Sequence, residues 1–418
     1  MRSPSLRSVL GCSGAFLVLC GLVAIGALWY FQRTLTNRPD PAAALGDYRP
    51  SAVPADLESL NELLLEIRQE HQIPALAAAV GRSAGPLAAG AVGARKAGNP
   101  MPVELADRFH LGSCTKAMTA TLLALQIQEG RLGWDEPLEE IFPNLSRSFH
   151  RDFRPVTLSQ FLLHRGGLPG DRKPDLGRMQ MLWSLSGPLP DQRRTALKNL
   201  LAVAPATPPD NRFEYSNVGY LVAGTAAEKV AGSSWENLMR ERIFEPLGMD
   251  GAGFGAPGRP GALPDEPWGH RSILGAAVPV EPGVRADNPA VLGPAGTVHA
   301  PILDFLRWGL LHLRGARRLA DPAIELPPAV FAKLHGDPYG QEYGYGWGVS
   351  RDEQGRRVLS HAGSNTAFFA FIRLLPEQDL ALVVATNSGQ RSAADAGKKT
   401  LDRLTEEWAA KAATPDGV

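Results

Sequence analysis

Cysteine is scarce: the 418-residue chain has three, Cys12, Cys20 and Cys114. The first two lie in an apolar N-terminal stretch, so Cys114 stands alone in the remainder. That excludes an intrachain disulfide framework there and any cysteine-based zinc spacing. Net charge is absent too, with 43 basic residues against 43 acidic ones. No global field gathers nucleic acid or coats an anionic surface. Lysine is the third scarcity: nine of the 43 basic residues are lysine, so each one is worth inspecting. Gly (44) and Pro (35) stay below the roughly 25–30% that marks low-complexity disorder, and 44% hydrophobic residues is an ordinary globular share.

Long apolar runs are absent except at the N-terminus. Between Arg7 and Arg33 no residue is charged, and Val9 to Phe31 would extend about 35 Å as a helix, enough to cross a bilayer. The run outlasts the usual signal-peptide core of roughly 7–15 residues. It ends in Trp29, Tyr30 and Phe31 before Arg33, the pattern of a membrane interface. The expectation is a stub at 1–8, an uncleaved anchor at 9–31 and a Pro- and Ala-rich linker at 32–55. The alternative is a secretory signal that is cleaved, releasing the domain. Neither Cys12 nor Cys20 ends a convincing lipidation box.

The folded part is expected at 56–412, before a tail at 413–418. Asp56 can cap a helix carrying Leu57, Leu60, Leu64 and Ile67 on one stripe. Apolar runs at 75–80 and 87–92 then read as a hairpin. Near the other end, runs at 368–375 and 380–386 flank Pro376-Glu377-Gln378-Asp379, followed by a helix with Leu401, Leu404 and Trp408 on one side. These patterns predict an α+β fold: a sandwich lobe (56–112 and 312–412) whose antiparallel sheet comes from both termini, covered by terminal helices. A mainly helical lobe, about 113–311, is inserted into it.

Three constellations carry chemistry. Ser113 and Lys116 begin a stretch without charge as far as Glu129. A helix apolar all round is a buried one, and residues three apart share a face, so a desolvated lysine would reach the serine hydroxyl. That is an activated-nucleophile arrangement. Chance alone makes such a pair common, and Ser113 as a mere helix N-cap is the bland alternative. Tyr215-Ser216-Asn217 is the second, and the one Y-x-N in the chain. A phenol acts as a base only as a phenolate held by cations, for which Lys116 is the obvious candidate. Asn217 offers an amide to lysine and substrate. His361-Ala362-Gly363-Ser364 is the third, although H-x-G recurs at His110 and His164. Gly363 lets a substrate approach a strand edge, and the backbone N–H groups of Ser113 and Ser364 could form an oxyanion hole.

In that order, S-x-x-K, Y-x-N and [KH]-x-G resemble the serine β-lactamase-related superfamily, in the branch of class C β-lactamases, penicillin-binding proteins, D-amino-acid peptidases and esterases. The stretches 162–170, 243–249, 293–297 and 343–348 are similar to it as well. The resemblance implies Ser113 as acylated nucleophile, Lys116 and Tyr215 as proton-handling pair, Asn217 as positioner and Ser113, Gly363 and Ser364 as the oxyanion backbone. It implies no metal or organic cofactor and a small-molecule or peptide substrate. Separately, Arg2 and Arg7 before the N-terminal span, partly offset by Arg33 and Arg38 after it, favour a cytoplasmic N-terminus, so the expectation is a periplasmic domain on a bacterial cytoplasmic membrane. Histidine at 361, in place of lysine, resembles the peptidases and esterases more than efficient β-lactamases. The alternatives are a weak β-lactamase and a silent sensor of penicillin or wall fragments. Cys114, without a base of its own, reads as buried filler.

Overall fold

The computed structural model describes residues 50–413, apart from 172–174 and 262. The expected stub and anchor, residues 32–49 of the linker and residues 414–418 of the tail lie outside the described residues. Among those described, no helix is long and apolar enough to cross a membrane.

The strands, in chain order, are β1 (Glu58–Ser59), β2 (Ala75–Arg82), β3 (Gly85–Gly93), β4 (Arg108–His110), β5 (Gly253–Phe254), β6 (Gly269–Ile273), β7 (Ala276–Val280), β8 (Val298–Pro301), β9 (Gly348–Arg351), β10 (Arg357–Ser364), β11 (Phe369–Leu375) and β12 (Leu380–Thr386). Seven build the main sheet in the order β1-β3-β2-β12-β11-β10-β9. Its centre joins the two ends of the chain: β12 runs antiparallel to β2, with Val383 opposite Ala79 and Val384 opposite Ala78.

The central strands alternate between two cores. Ala75, Ala77 and Ala79 face one, with Ala381, Val383 and Ala385. Leu76, Ala78 and Val80 face the other, with Leu382 and Val384. Successive side chains point to opposite faces, so a strand buried on both sides reads as an unbroken apolar run. The second core is closed by Leu64 and Ile67 of helix Asn61–His71 and by Leu401, Leu404 and Trp408 of helix Arg391–Ala413. Both terminal helices thus share one face. The first core continues into the inserted lobe, where helices Thr115–Gln128 and Asn217–Ala231 pack together.

Three sequence expectations need correction. The first helix starts at Asn61 and not at Asp56, because Glu58 and Ser59 pair in parallel with Ala88 and Ala89 at the sheet edge. Helix Ile302–Ala316 packs against β2, β3 and β12, so the inserted lobe closes near 301 and not 311. A sheet face of alanines needs a helix over it, and this one supplies Phe305, Leu306 and Leu310. The inserted lobe is also less purely helical than its pattern reads: it holds β5 and the hairpin of β6 and β7, and β8 joins β4 and β5 in a small sheet.

Leu404 is fully buried against the sheet face opposite the core that contains Cys114. Leu404→Ala is expected to cost about 2–5 kcal/mol of stability by leaving a cavity. Thermal unfolding should show a lower midpoint, while activity per folded molecule stays at the parental level.

Candidate active site

Ser113 lies in a tight 3-10 turn, Gly112–Cys114, that runs directly into helix Thr115–Gln128. Every residue of that helix from Thr115 to Gln126 is buried, so the uncharged run predicted a helix enclosed on all sides. The turn flows into the helix through Cys114, and no side-chain cap is made. The Ser113 hydroxyl is therefore not a cap. It stays half-exposed between two buried neighbours and meets Lys116 instead.

Lys116 is fully buried. Its Nζ stands 3.0 Å from Ser113 Oγ, 2.6 Å from Asn217 Oδ1 and 2.8 Å from the Ala295 carbonyl oxygen. The last two neighbours only accept hydrogen bonds. A neutral amine has two N–H bonds to give them and one lone pair left, which then faces the serine hydroxyl. Desolvation pushes Lys116 down to about 7, against the pull of Asp171 and Cys114 in the other direction. The lysine is thus poised to accept a proton from Ser113.

Asn217 opens helix Asn217–Ala231, whose cap position, Ser216, makes no side-chain cap. Asp171 does that work instead: its carboxylate accepts the Asn217 N–H and a hydrogen bond from Arg178 Nη2 at 3.0 Å. Asp171 also donates its own N–H to the Tyr215 carbonyl at 2.9 Å. It was missed in the sequence, where nothing ties an aspartate at 171 to a motif at 217.

The Tyr215 ring centroid lies 4.8 Å from Lys116 Nζ, and its phenol hydrogen-bonds Ser113. Burial pushes the phenol above its ordinary range. Burial thus acts against a phenolate at Tyr215, as it acts against an ammonium at Lys116, and a phenol in that state is able to donate. His164 packs on it, with ring centroids 4.3 Å apart, and accepts the Ser216 N–H at Nδ1, 3.1 Å. Burial first, then Lys116, holds His164 well below the usual imidazole range.

His361 lies within β10, between Tyr343 and its own backbone. Nδ1 is 2.8 Å from the Ala362 carbonyl, which can only accept, so the ring proton sits on Nδ1. Nε2 then accepts the Tyr343 hydroxyl at 3.0 Å. Burial and Lys116 push His361 down to about 4, leaving it neutral near pH 7. Among the described residues no hydrogen bond links it to Ser113, Lys116 or Tyr215. Strand geometry points it at the Tyr343 hydroxyl.

The backbone of β10 completes the site. A Cβ on Gly363 would stand 1.9 Å from the Leu111 carbonyl oxygen and 2.8 Å from the Ser113 nitrogen, and one on Gly112 would stand 2.3 Å from the Ser364 nitrogen. Gly112 also holds φ +50°. Glycine is required on both sides, and it lets the backbone before Ser113 approach the backbone before Ser364 closely. Cys114 is inert: burial pushes its thiol up to about 12, and the sulfur faces the carbonyls of His361 and Ala370. Among the described residues, no group of three or more His, Cys, Asp or Glu is placed to hold a metal.

A family model described as Beta-lactamase matches residues 60–407. The chain is 28% identical over 351 residues to penicillin-binding protein 4 of Amycolatopsis lactamdurans, covering 81% of this chain and 87% of that one. It is 24% identical over 308 residues to a D-alanyl-D-alanine carboxypeptidase/endopeptidase of Escherichia coli, covering 71% and 75%. Among solved structures, a D-stereospecific amidohydrolase from Streptomyces shares the fold at TM-score 0.61 and 22% identity, with 81% of this chain and 96% of that chain covered. The match spans both lobes and all three constellations, and the chain belongs to the Beta-lactamase family.

Proposed function

We propose that the protein is a serine hydrolase that works through an acyl-enzyme on esters or amides, with D-amino-acid-containing peptides among its substrates. The observation that carries this is the place of Lys116 Nζ, 3.0 Å from Ser113 Oγ and 2.6 and 2.8 Å from two acceptor oxygens, so that a neutral amine there has its lone pair left for the serine hydroxyl. In the first step the Ser113 hydroxyl proton moves to Lys116 Nζ while Oγ bonds to the substrate carbonyl carbon. The carbonyl oxygen becomes an oxyanion between the N–H groups of Ser113 and Ser364. Tyr215 gives its phenolic proton to the leaving nitrogen or oxygen as the bond to carbon breaks, and regains a proton from Lys116. Water then repeats the sequence on the acyl-enzyme. In this order Lys116 is the acylation base and Tyr215 the acid, a division supported by the burial of both groups.

The reading of the substrate rests on two supports. The curated relative from Escherichia coli is a carboxypeptidase/endopeptidase named for D-alanyl-D-alanine. A neutral His361 offers no fixed cation to a substrate carboxylate, which favours esters and internal peptide bonds without a free carboxylate beside the scissile bond over carboxylate-bearing penicillins. We further infer, from the apolar run at 9–31 and the linker after it, that the domain is anchored to a bacterial cytoplasmic membrane and works outside it.

Intact-mass spectrometry after exposure to a penicillin, an activated ester and a D-alanyl peptide reads the acyl adduct directly. The parent should gain one adduct at Ser113 and Ser113→Ala none; undiminished labelling of Ser113→Ala at another residue overturns the reading. The rate of Ser113 acylation should rise with pH through about 7 and then level, because only the unprotonated amine accepts the proton. Below that point the loss is about tenfold per pH unit. A flat rate from pH 5 to 9 contradicts the role of Lys116. His361→Lys should speed acylation by carboxylate-bearing penicillins by about tenfold through one added charge-assisted contact, with little gain for an uncharged p-nitrophenyl ester.

A further inference from the structure

The two N–H groups that would face the oxyanion come from different chain segments, and something must hold those segments in register. Gly112, before Ser113, donates its N–H to His110 Nδ1 at 3.1 Å. Nδ1 is left only the acceptor role, so the ring proton is on Nε2, which lies 2.8 Å from Asp287 Oδ2. On the other side, Asn365, after Ser364, donates from Nδ2 to Asp287 Oδ1 at 3.1 Å. The Asn365 Oδ1 accepts the N–H groups of Ala367 and Phe368 at 3.2 and 3.1 Å, which fixes the bend from β10 into β11. One carboxylate, from the loop between residues 283 and 289, thus spans both halves of the hole.

These groups are enclosed: His110 is fully buried, Asn365 is 4% exposed and Asp287 9%. A buried carboxylate with both oxygens engaged is costly to assemble, and each arm here ends one residue from a backbone N–H that the acyl-enzyme reading assigns to the oxyanion. Resting on the acyl-enzyme reading above, we propose that Asp287 is a positioning residue, which, through His110 and Asn365, sets the spacing of the Ser113 and Ser364 N–H groups. Neither His110, Asp287 nor Asn365 touches the Ser113 hydroxyl, Lys116 or Tyr215 by any hydrogen bond among the described residues. Their effect would therefore fall on stabilisation of the oxyanion and not on ground-state binding.

The geometry supplies its own rescue. Asp287→Asn can accept from His110 but must then present N–H to the N–H of Asn365, which breaks one arm. Adding Asn365→Asp reverses that arm: Asn at 287 donates to the new carboxylate, whose other oxygen still accepts from Ala367 and Phe368. Turnover of p-nitrophenyl acetate by the full chain is the readout, with folded fraction followed by circular dichroism. Asp287→Asn should lower kcat about 10- to 100-fold, as misplacement of one oxyanion donor does, with KM within about twofold. Asn365→Ala, which keeps the His110 arm, should show the same split. The exchanged double variant should recover most of kcat.

A folded Asp287→Asn or Asn365→Ala whose kcat stays within about twofold of the parent overturns the proposal. So does a loss confined to KM, or a folded double variant no better than Asp287→Asn. If Asp287→Asn does not fold, Asn365→Ala and the double variant decide by the same criteria. A parent without Ser113-dependent turnover sinks the acyl-enzyme reading itself, an outcome distinct from an active parent indifferent to these substitutions.

Discussion

The buried amine of Lys116 is the interaction on which the rest of the site depends. An ammonium in that position would be desolvated at the start of a helix, where the helix dipole also opposes it. The fold resolves the conflict by lowering the charge and not by supplying a counter-ion in contact. Two oxygens, from Asn217 and Ala295, accept N–H bonds, and in the neutral amine the remaining lone pair can accept from the Ser113 hydroxyl 3.0 Å away. Each has a fixed origin: a helix start, the one-turn helix Gly293–Gly296 before β8 and the mouth of the nucleophile helix. Movement of any one would leave a buried polar group unpaired.

That constraint explains why the site lies where the two lobes meet. Lys116 and Ser113 stand on the element between them. Tyr215, Asn217 and Ala295 come from the inserted lobe, while His361, Gly363 and Ser364 come from the sheet. The close backbone approach at Gly112 and Gly363 locks the nucleophile turn to β10. Asp171 does comparable work on the other side, tying the Asn217 helix start to the Tyr215 carbonyl. The terminal helices pack on the far face of the sheet and contribute stability there.

What could be read beforehand follows chain separation. Ser113 and Lys116 are three residues apart, and Tyr215 and Asn217 two, so helix geometry and a short motif suffice to pick them out. The hairpins and terminal helices were legible because alternation and helical stripes are local patterns. The Ala295 carbonyl lies 179 positions from Lys116, and Asp287 lies 177 from His110. No local pattern records such contacts. His110 and His164 were passed over because they repeat the H-x-G spacing of His361, and repetition looks like chance. The fold places one under Gly112 and the other on Tyr215. The division of roles between Lys116 and Tyr215 was not legible for a related reason: burial, which a sequence does not record, acts on both groups and favours the neutral form of each.

The protonation state of Lys116 can be observed without any substrate. With lysine labelled by 15N at the side-chain nitrogen, nine resonances are expected, and Lys116→Arg identifies the one that matters. The account predicts that this resonance titrates near pH 7, well below the roughly 10.4 of lysine in a model peptide. A Lys116 resonance that stays that of an ammonium up to pH 10 would contradict it.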